Sequence, residues 1–221
     1  MKSQYILKRN FSAIILMLVF IQLSPFLLKA KSFEKYHSFH QASILADAEN
    51  GRILKNYRSQ KTIYPASLVK MMVALITLEE INKGNIHLSD SIKVSSWASR
   101  IGGRQVYLKQ GEVFPLSEMM KAMVITSAND VTVAIAEHIA KDVDTFIKRM
   151  NQRAQELGMT DTEFHSVHGL PPGRGQHFDR STARDLLILA LELLNHPEYL
   201  DWASVRPVSY THLTLPTILL V

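Results

Sequence analysis

Pro65-Ala66-Ser67-Leu68-Val69-Lys70-Met71-Met72-Val73-Ala74-Leu75-Ile76-Thr77-Leu78-Glu79-Glu80-Ile81-Asn82 is the stretch on which the fold turns. Proline suits the first turn of a helix, where its missing N–H would be unpaired anyway. From Leu68 to Ile76 there is no polar face apart from Lys70. A helix that is apolar all round is buried, either in a domain or in a membrane. This one is short of the roughly 20 apolar residues that span a bilayer, and it closes on two glutamates. The expectation is a central core helix, stopped at Lys83-Gly84, whose first turn surfaces in a cleft. Ser67 and Lys70 are three apart and share one face of that turn.

That placement carries chemistry. A serine hydroxyl becomes a nucleophile when a neighbour takes its proton. A lysine does so once desolvation or another cation makes its neutral form accessible. A helix start adds free N–H groups and a positive dipole end for a developing oxyanion. Spacing alone does not decide the matter. Ser67 as a helix cap and Lys70 as a surface residue explain the same pattern, and Ser32-Phe33-Glu34-Lys35 also matches it.

Working outward, Gln41 to Asp47 and Arg52 to Tyr57 are β-prone runs around Glu49-Asn50-Gly51, a hairpin signal. Short strands are predicted at Ser91-Val94 and Gln105-Leu108, with Gly102-Gly103 as a tight turn or the edge of a cleft. Leu116 to Ile125 reads as a helix capped by Ser117, and Val131 to Ile139 as a second, nearly all apolar. The polar break between them, Thr126-Ser127-Ala128-Asn129-Asp130, either caps the second helix or points a hydroxyl and an amide into the cleft of Ser67. Asp144 to Gly158 is amphipathic, Thr160 to Arg180 is rich in loops, and Ser181 or Thr182 caps a helix through Leu194. His165, His168 and His177 sit among glycines and prolines without the helical glutamate of a zincin, so no metal is expected.

Composition narrows the function. Of the 25 Lys and Arg, Lys2, Lys8, Arg9 and Lys29 lie in the first thirty residues, which hold no acid. The remainder has 21 basic against 20 acidic residues, so nothing argues for nucleic acid. The basic start, the apolar run Phe11 to Phe20 and Ala30 read as a signal peptide over residues 1–30, in preference to a retained anchor that would bring membrane association. Either way the rest is exported, to the periplasm or the outer face of the cytoplasmic membrane. There is no cysteine, which excludes disulfides and thiolate metal sites.

Pro65-Ala66-Ser67-Leu68-Val69-Lys70, Thr126-Ser127-Ala128-Asn129-Asp130, Phe164-His165-Ser166-Val167-His168-Gly169-Leu170 and Ser181-Thr182-Ala183-Arg184-Asp185 together resemble the D-alanyl-D-alanine carboxypeptidases, the low-molecular-mass penicillin-binding proteins. The likeness runs from about Gln41 to about Leu194. It implies a mixed α/β fold like that of the serine β-lactamases, a sheet flanked by helices plus a helical lobe carrying Ser127. It implies Ser67 as nucleophile, Lys70 as proton acceptor, Ser127 as proton relay and Asn129 as the group that binds the substrate amide and helps orient Lys70. No cofactor is implied. The partners would be a peptidoglycan stem peptide ending in D-Ala-D-Ala and, as covalent inhibitors, β-lactams. A D,D-endopeptidase with the same residues and a non-catalytic peptidoglycan- or β-lactam-binding module are the rivals. A β-lactamase would need a deacylating base that the sequence does not assign.

The family's third box, lysine or histidine followed by threonine and glycine, does not occur. Lys61-Thr62 is followed by Ile63 and precedes the nucleophile. The segment from Ser209 to Val221 does not resemble the family and reads as a non-native tail, in the manner of translated adapter sequence. The expected organisation is a signal over 1–30, a linker over 31–40, a partial peptidase domain over 41–208 that lacks its C-terminal strands, and the tail over 209–221. A chain so shortened is expected to be poorly stable and poorly active.

Overall fold

The computed structural model describes residues 41–205. The signal, the linker and the tail assigned above lie outside the described residues.

The chain opens on an antiparallel hairpin, β1 (Ser43–Ala46) and β2 (Ile53–Tyr57). Its turn is built from side chains: Asp47 accepts from the Glu49 N–H at 2.9 Å, and Asn50 accepts from the Arg52 N–H at 2.9 Å. A bulge between Leu45 and Ala46 breaks the register. β3 (Thr62–Ile63) pairs with the distant β6 (Ser181–Thr182), which ties the chain just before Ser67 to the start of a late helix. β4 (Ser91–Lys93) pairs with β5 (Val113–Pro115). Among the described residues the strands therefore form three separate two-stranded sheets.

Six α-helices follow among the described residues: α1 (Lys70–Asn82), α2 (Leu116–Thr126), α3 (Asn129–Ala140), α4 (Val143–Glu156), α5 (Ala183–Leu193) and α6 (Pro197–Ala203). A 3-10 turn, Ala66–Val69, leads directly into α1. As its sequence predicts, α1 is central. Met72, Val73, Ala74, Leu75, Ile76 and Leu78 are buried, and the helix packs against α2, α3, α4 and α5. Its polar groups are satisfied. Thr77 donates to the Val73 carbonyl at 2.7 Å, and Glu80 pairs with Arg149 at 2.7 Å. Arg153 of α4 reaches Glu79 of α1 at 2.7 Å and Glu192 of α5 at 3.1 Å, so one guanidinium clamps three helices. Among the described residues no helix is long and apolar enough to cross a membrane.

Three local expectations are corrected. Gln105-Leu108 is not a strand; β4 pairs with Val113–Pro115 instead. The Val106 and Leu108 N–H groups donate to the buried Asp130 carboxylate, at 3.2 and 3.0 Å, and not to a neighbouring strand. Ser117 does not cap α2: Pro115 holds the cap position, without a side-chain hydrogen bond. The break after α2 is two residues long, Ser127-Ala128, because Asn129 and Asp130 already belong to α3. Of the two candidate caps for α5, Thr182 does the work, accepting from the Asp185 N–H at 3.1 Å. Pro197, read as the end of a helix, also begins α6, since proline is favoured at a first helical position.

Asp130 anchors the 105–108 segment, and it also accepts from the Val131 N–H at 2.9 Å. Leaving a buried donor unpaired costs about 1–3 kcal/mol. Asp130→Ala strands three, so urea unfolding should show a loss of at least about 3 kcal/mol. A loss within about 0.5 kcal/mol of wild type would contradict this account.

Candidate active site

Ser67 stands in the 3-10 turn with its side chain exposed, and Lys70, one turn on, is only 6% exposed. The spacing places them on one face. Lys70 Nζ lies 3.5 Å from Ser67 Oγ and donates to the His168 carbonyl at 3.0 Å. Burial, and secondarily the positive charge of Arg104, pull the Lys70 pKa from 10.5 down to about 8. A sizeable fraction of this amine is thus neutral near physiological pH. As a residue at the start of a helix, Ser67 also offers an N–H that the helix itself leaves unpaired.

The backbone around the pair is forced. Ala66, immediately before Ser67, has φ +48°. Gly169 packs on it so closely that a Cβ there would lie 1.9 Å from the Ala66 carbonyl oxygen, and its own φ is +75°. Non-glycine residues in the left-handed region cost of order 1 kcal/mol or more and cluster at functional sites. Ser127 is another, with φ +58° at the elbow between α2 and α3, where its N–H donates to the Met123 carbonyl at 2.9 Å.

Asn129 is buried beside this elbow. Its side-chain amide donates to the Gly102 carbonyl at 2.8 Å, and its backbone N–H to the Arg104 carbonyl at 2.7 Å. Gly103 lies so near that a Cβ there would sit 2.6 Å from Asn129 Nδ2 and 2.8 Å from Leu170 Cδ2. No hydrogen bond joins Asn129 to Lys70 in this structure. The acceptor of the Lys70 amine is the His168 carbonyl, while Asn129 Nδ2 donates to the Gly102 carbonyl. No hydrogen bond joins Ser127 to Ser67 or Lys70 in this structure.

The 165–170 loop links these parts: Gly169 meets Ala66, His168 meets Lys70, and Leu170 meets Gly103, which touches Asn129. The box meets the lysine through the His168 backbone carbonyl, a contact that its side-chain identities do not announce. Burial and Lys70 hold the His168 pKa below its usual value, so the ring is neutral near pH 7. Its Nδ1 accepts from the Leu170 N–H at 3.1 Å, which assigns the proton to Nε2. His165 pairs with Glu163 at 3.3 Å, and its ring centroid lies 5.3 Å from that of His177. Among the described residues no group of three or more His, Asp or Glu is placed to hold a metal ion. Arg104 was missed as well. The Gly-Gly turn is the only sequence signal that the cation beside it edges the cleft.

Comparison with known proteins gives one answer throughout. The family model described as D-alanyl-D-alanine carboxypeptidase matches residues 30–214. The D-alanyl-D-alanine carboxypeptidase DacF of Bacillus subtilis is 36% identical over 156 residues, covering 71% of this chain and 39% of the relative. The crystal structure of DacD from Francisella tularensis superposes with a TM-score of 0.69 at 32% identity, covering 73% of this chain and 38% of that one. Penicillin-binding protein D2 of Listeria monocytogenes, in its ampicillin-bound form, superposes with a TM-score of 0.68 at 27% identity, covering 77% of this chain and 68% of that one. The chain spans about two fifths of the length of the curated relatives it matches.

Proposed function

The chain belongs to the D-alanyl-D-alanine carboxypeptidase family, and from that premise we propose that it carries the acylating half of a serine D,D-carboxypeptidase site. Ser67 Oγ attacks the carbonyl carbon of the peptide bond between two terminal D-alanines, and its proton passes to the neutral Lys70 amine. The Ser67 N–H supports the oxyanion. The C–N bond then breaks, a proton returns through Ser127 to the leaving nitrogen, and D-alanine departs. Water cleaves the Ser67 ester and releases the shortened stem peptide. Asn129 binds the substrate amide from the far side of the cleft. β-Lactams acylate the same oxygen. The protein works on peptidoglycan outside the cytoplasmic membrane, with residues 1–30 as its export signal.

The observation that carries this reading is a buried amine of lowered pKa, 3.5 Å from an exposed serine hydroxyl. A lone cap and a surface lysine would leave the amine solvated and the pKa at its ordinary value. The test is acylation by a labelled penicillin, which needs only the first half of the reaction. The adduct should map to Ser67 and be absent in Ser67→Ala. Its rate should rise with pH through about 8, as Lys70 loses its proton, and level off above. A rate flat from about pH 6 to 10, or an adduct on another residue, would refute the assignment.

A further inference from the structure

The 165–170 loop touches Ala66, Lys70 and Gly103, and it is itself held by a carboxylate outside it. Asp179 lies nine residues beyond the end of that loop, buried at 6% exposure. One carboxylate oxygen accepts from the His165 N–H at 2.7 Å and from the Ser166 N–H at 2.9 Å. The other accepts from Ser166 Oγ at 2.7 Å. Ser166 Oγ in turn accepts from the Gly169 N–H at 2.8 Å. This unbroken chain of bonds ends at the residue lodged against Ala66 and beside the carbonyl that holds Lys70.

We propose that Asp179 is a positioning residue for the Ser67–Lys70 pair, acting through Ser166 to fix the loop whose His168 carbonyl and Gly169 backbone set where the amine and the hydroxyl stand. The proposal rests on the reading of Ser67 and Lys70 given above. Hydrogen bonds to an ionised acceptor are about twice as strong as neutral ones, and two of these three reach backbone N–H groups of the partly buried His165 and Ser166. A buried carboxylate is costly unless its bonds are made, so the network is closed or it fails together. Once the loop loosens, water reaches Lys70. The groups facing that amine are then Ser67, His168 and the Arg104 charge, without the desolvation that dominates its present state.

The test uses the full 221-residue chain as wild type and as Asp179→Ala, Ser166→Ala and Asp185→Ala. Asp185 is a matched control. It is also a buried carboxylate, accepting from the Asp161 N–H at 2.9 Å and from Thr162 Oγ1 at 2.8 Å. The Lys70 amine is titrated by competitive labelling with acetic anhydride, read by mass spectrometry, and the adduct with labelled penicillin is timed in parallel. Asp179→Ala and Ser166→Ala should move the Lys70 midpoint from about 8 toward 10.5, and should slow the adduct about 10- to 100-fold at neutral pH. Asp185→Ala should lower the melting temperature and leave the Lys70 midpoint in place. An unmoved midpoint in the first two variants, or an equal movement in the control, overturns the proposal. If Asp179→Ala does not fold, Ser166→Ala decides. A wild-type chain without a Ser67 adduct refutes the nucleophile, while the Lys70 titration still judges Asp179.

Discussion

Lys70→Met is expected to give a protein at least as stable as wild type that has lost its chemistry. The folded chain holds the Lys70 proton with a pKa of about 8, against 10.5 for a free lysine. The folded state thus binds that proton more weakly than the unfolded state does. The resulting destabilisation is complete below about pH 8 and vanishes as the pH approaches 10.5. It amounts to on the order of 3 kcal/mol. Methionine fills a similar volume with an apolar, adaptable side chain. At pH 7 urea unfolding should therefore show unchanged stability or a gain of up to about 3 kcal/mol. Removing the proton acceptor should meanwhile slow penicillin acylation about 10²- to 10⁴-fold. A Lys70→Met protein that labels at the wild-type rate would remove the lysine from the mechanism.

Gly169→Ala should damage both fold and site. The added methyl group would lie 1.9 Å from the Ala66 carbonyl oxygen and 2.3 Å from its carbon, so main chain must move. Alanine at φ +75° adds its own penalty of about 1–2 kcal/mol, and overpacking typically costs about 1–3 kcal/mol more. Unfolding should show a combined loss of about 2–5 kcal/mol. Because the displaced atom is in the residue before Ser67, the adduct should also form at least about 100-fold more slowly in the protein that remains folded. Wild-type labelling in a fully stable Gly169→Ala protein would show that the close approach of the two chains is irrelevant.

What the sequence makes legible follows from the range of the interactions. The helix after Lys70, the Asn-Gly hairpin and the stripe of Phe146, Met150 and Ala154 on α4 are written in local periodicity, and each forms where the pattern puts it. The pairing of Ser67 with Lys70 follows from helical spacing alone. The Gln105-Leu108 segment alternates like a strand, but its N–H groups are taken by Asp130, more than twenty positions away. No window of a dozen residues contains that partner. The same holds for the acceptor of the Lys70 amine, a carbonyl 98 residues further on. A backbone carbonyl has no residue identity, so its use in a site leaves no letter in the sequence. Asp179 is only slightly more visible: it is one more acidic residue in a loop until its neighbours are seen.

That 98-residue separation has a kinetic side. The α2–α3 pair meets across two linking residues, whereas Ala66 and Gly169 must find each other across most of a domain. Closing so long a loop costs entropy that only the finished contacts return. The cleft is therefore among the last regions to assemble as the chain collapses and among the first to come apart under stress. Loss of reactivity on warming should run ahead of any loss of helix.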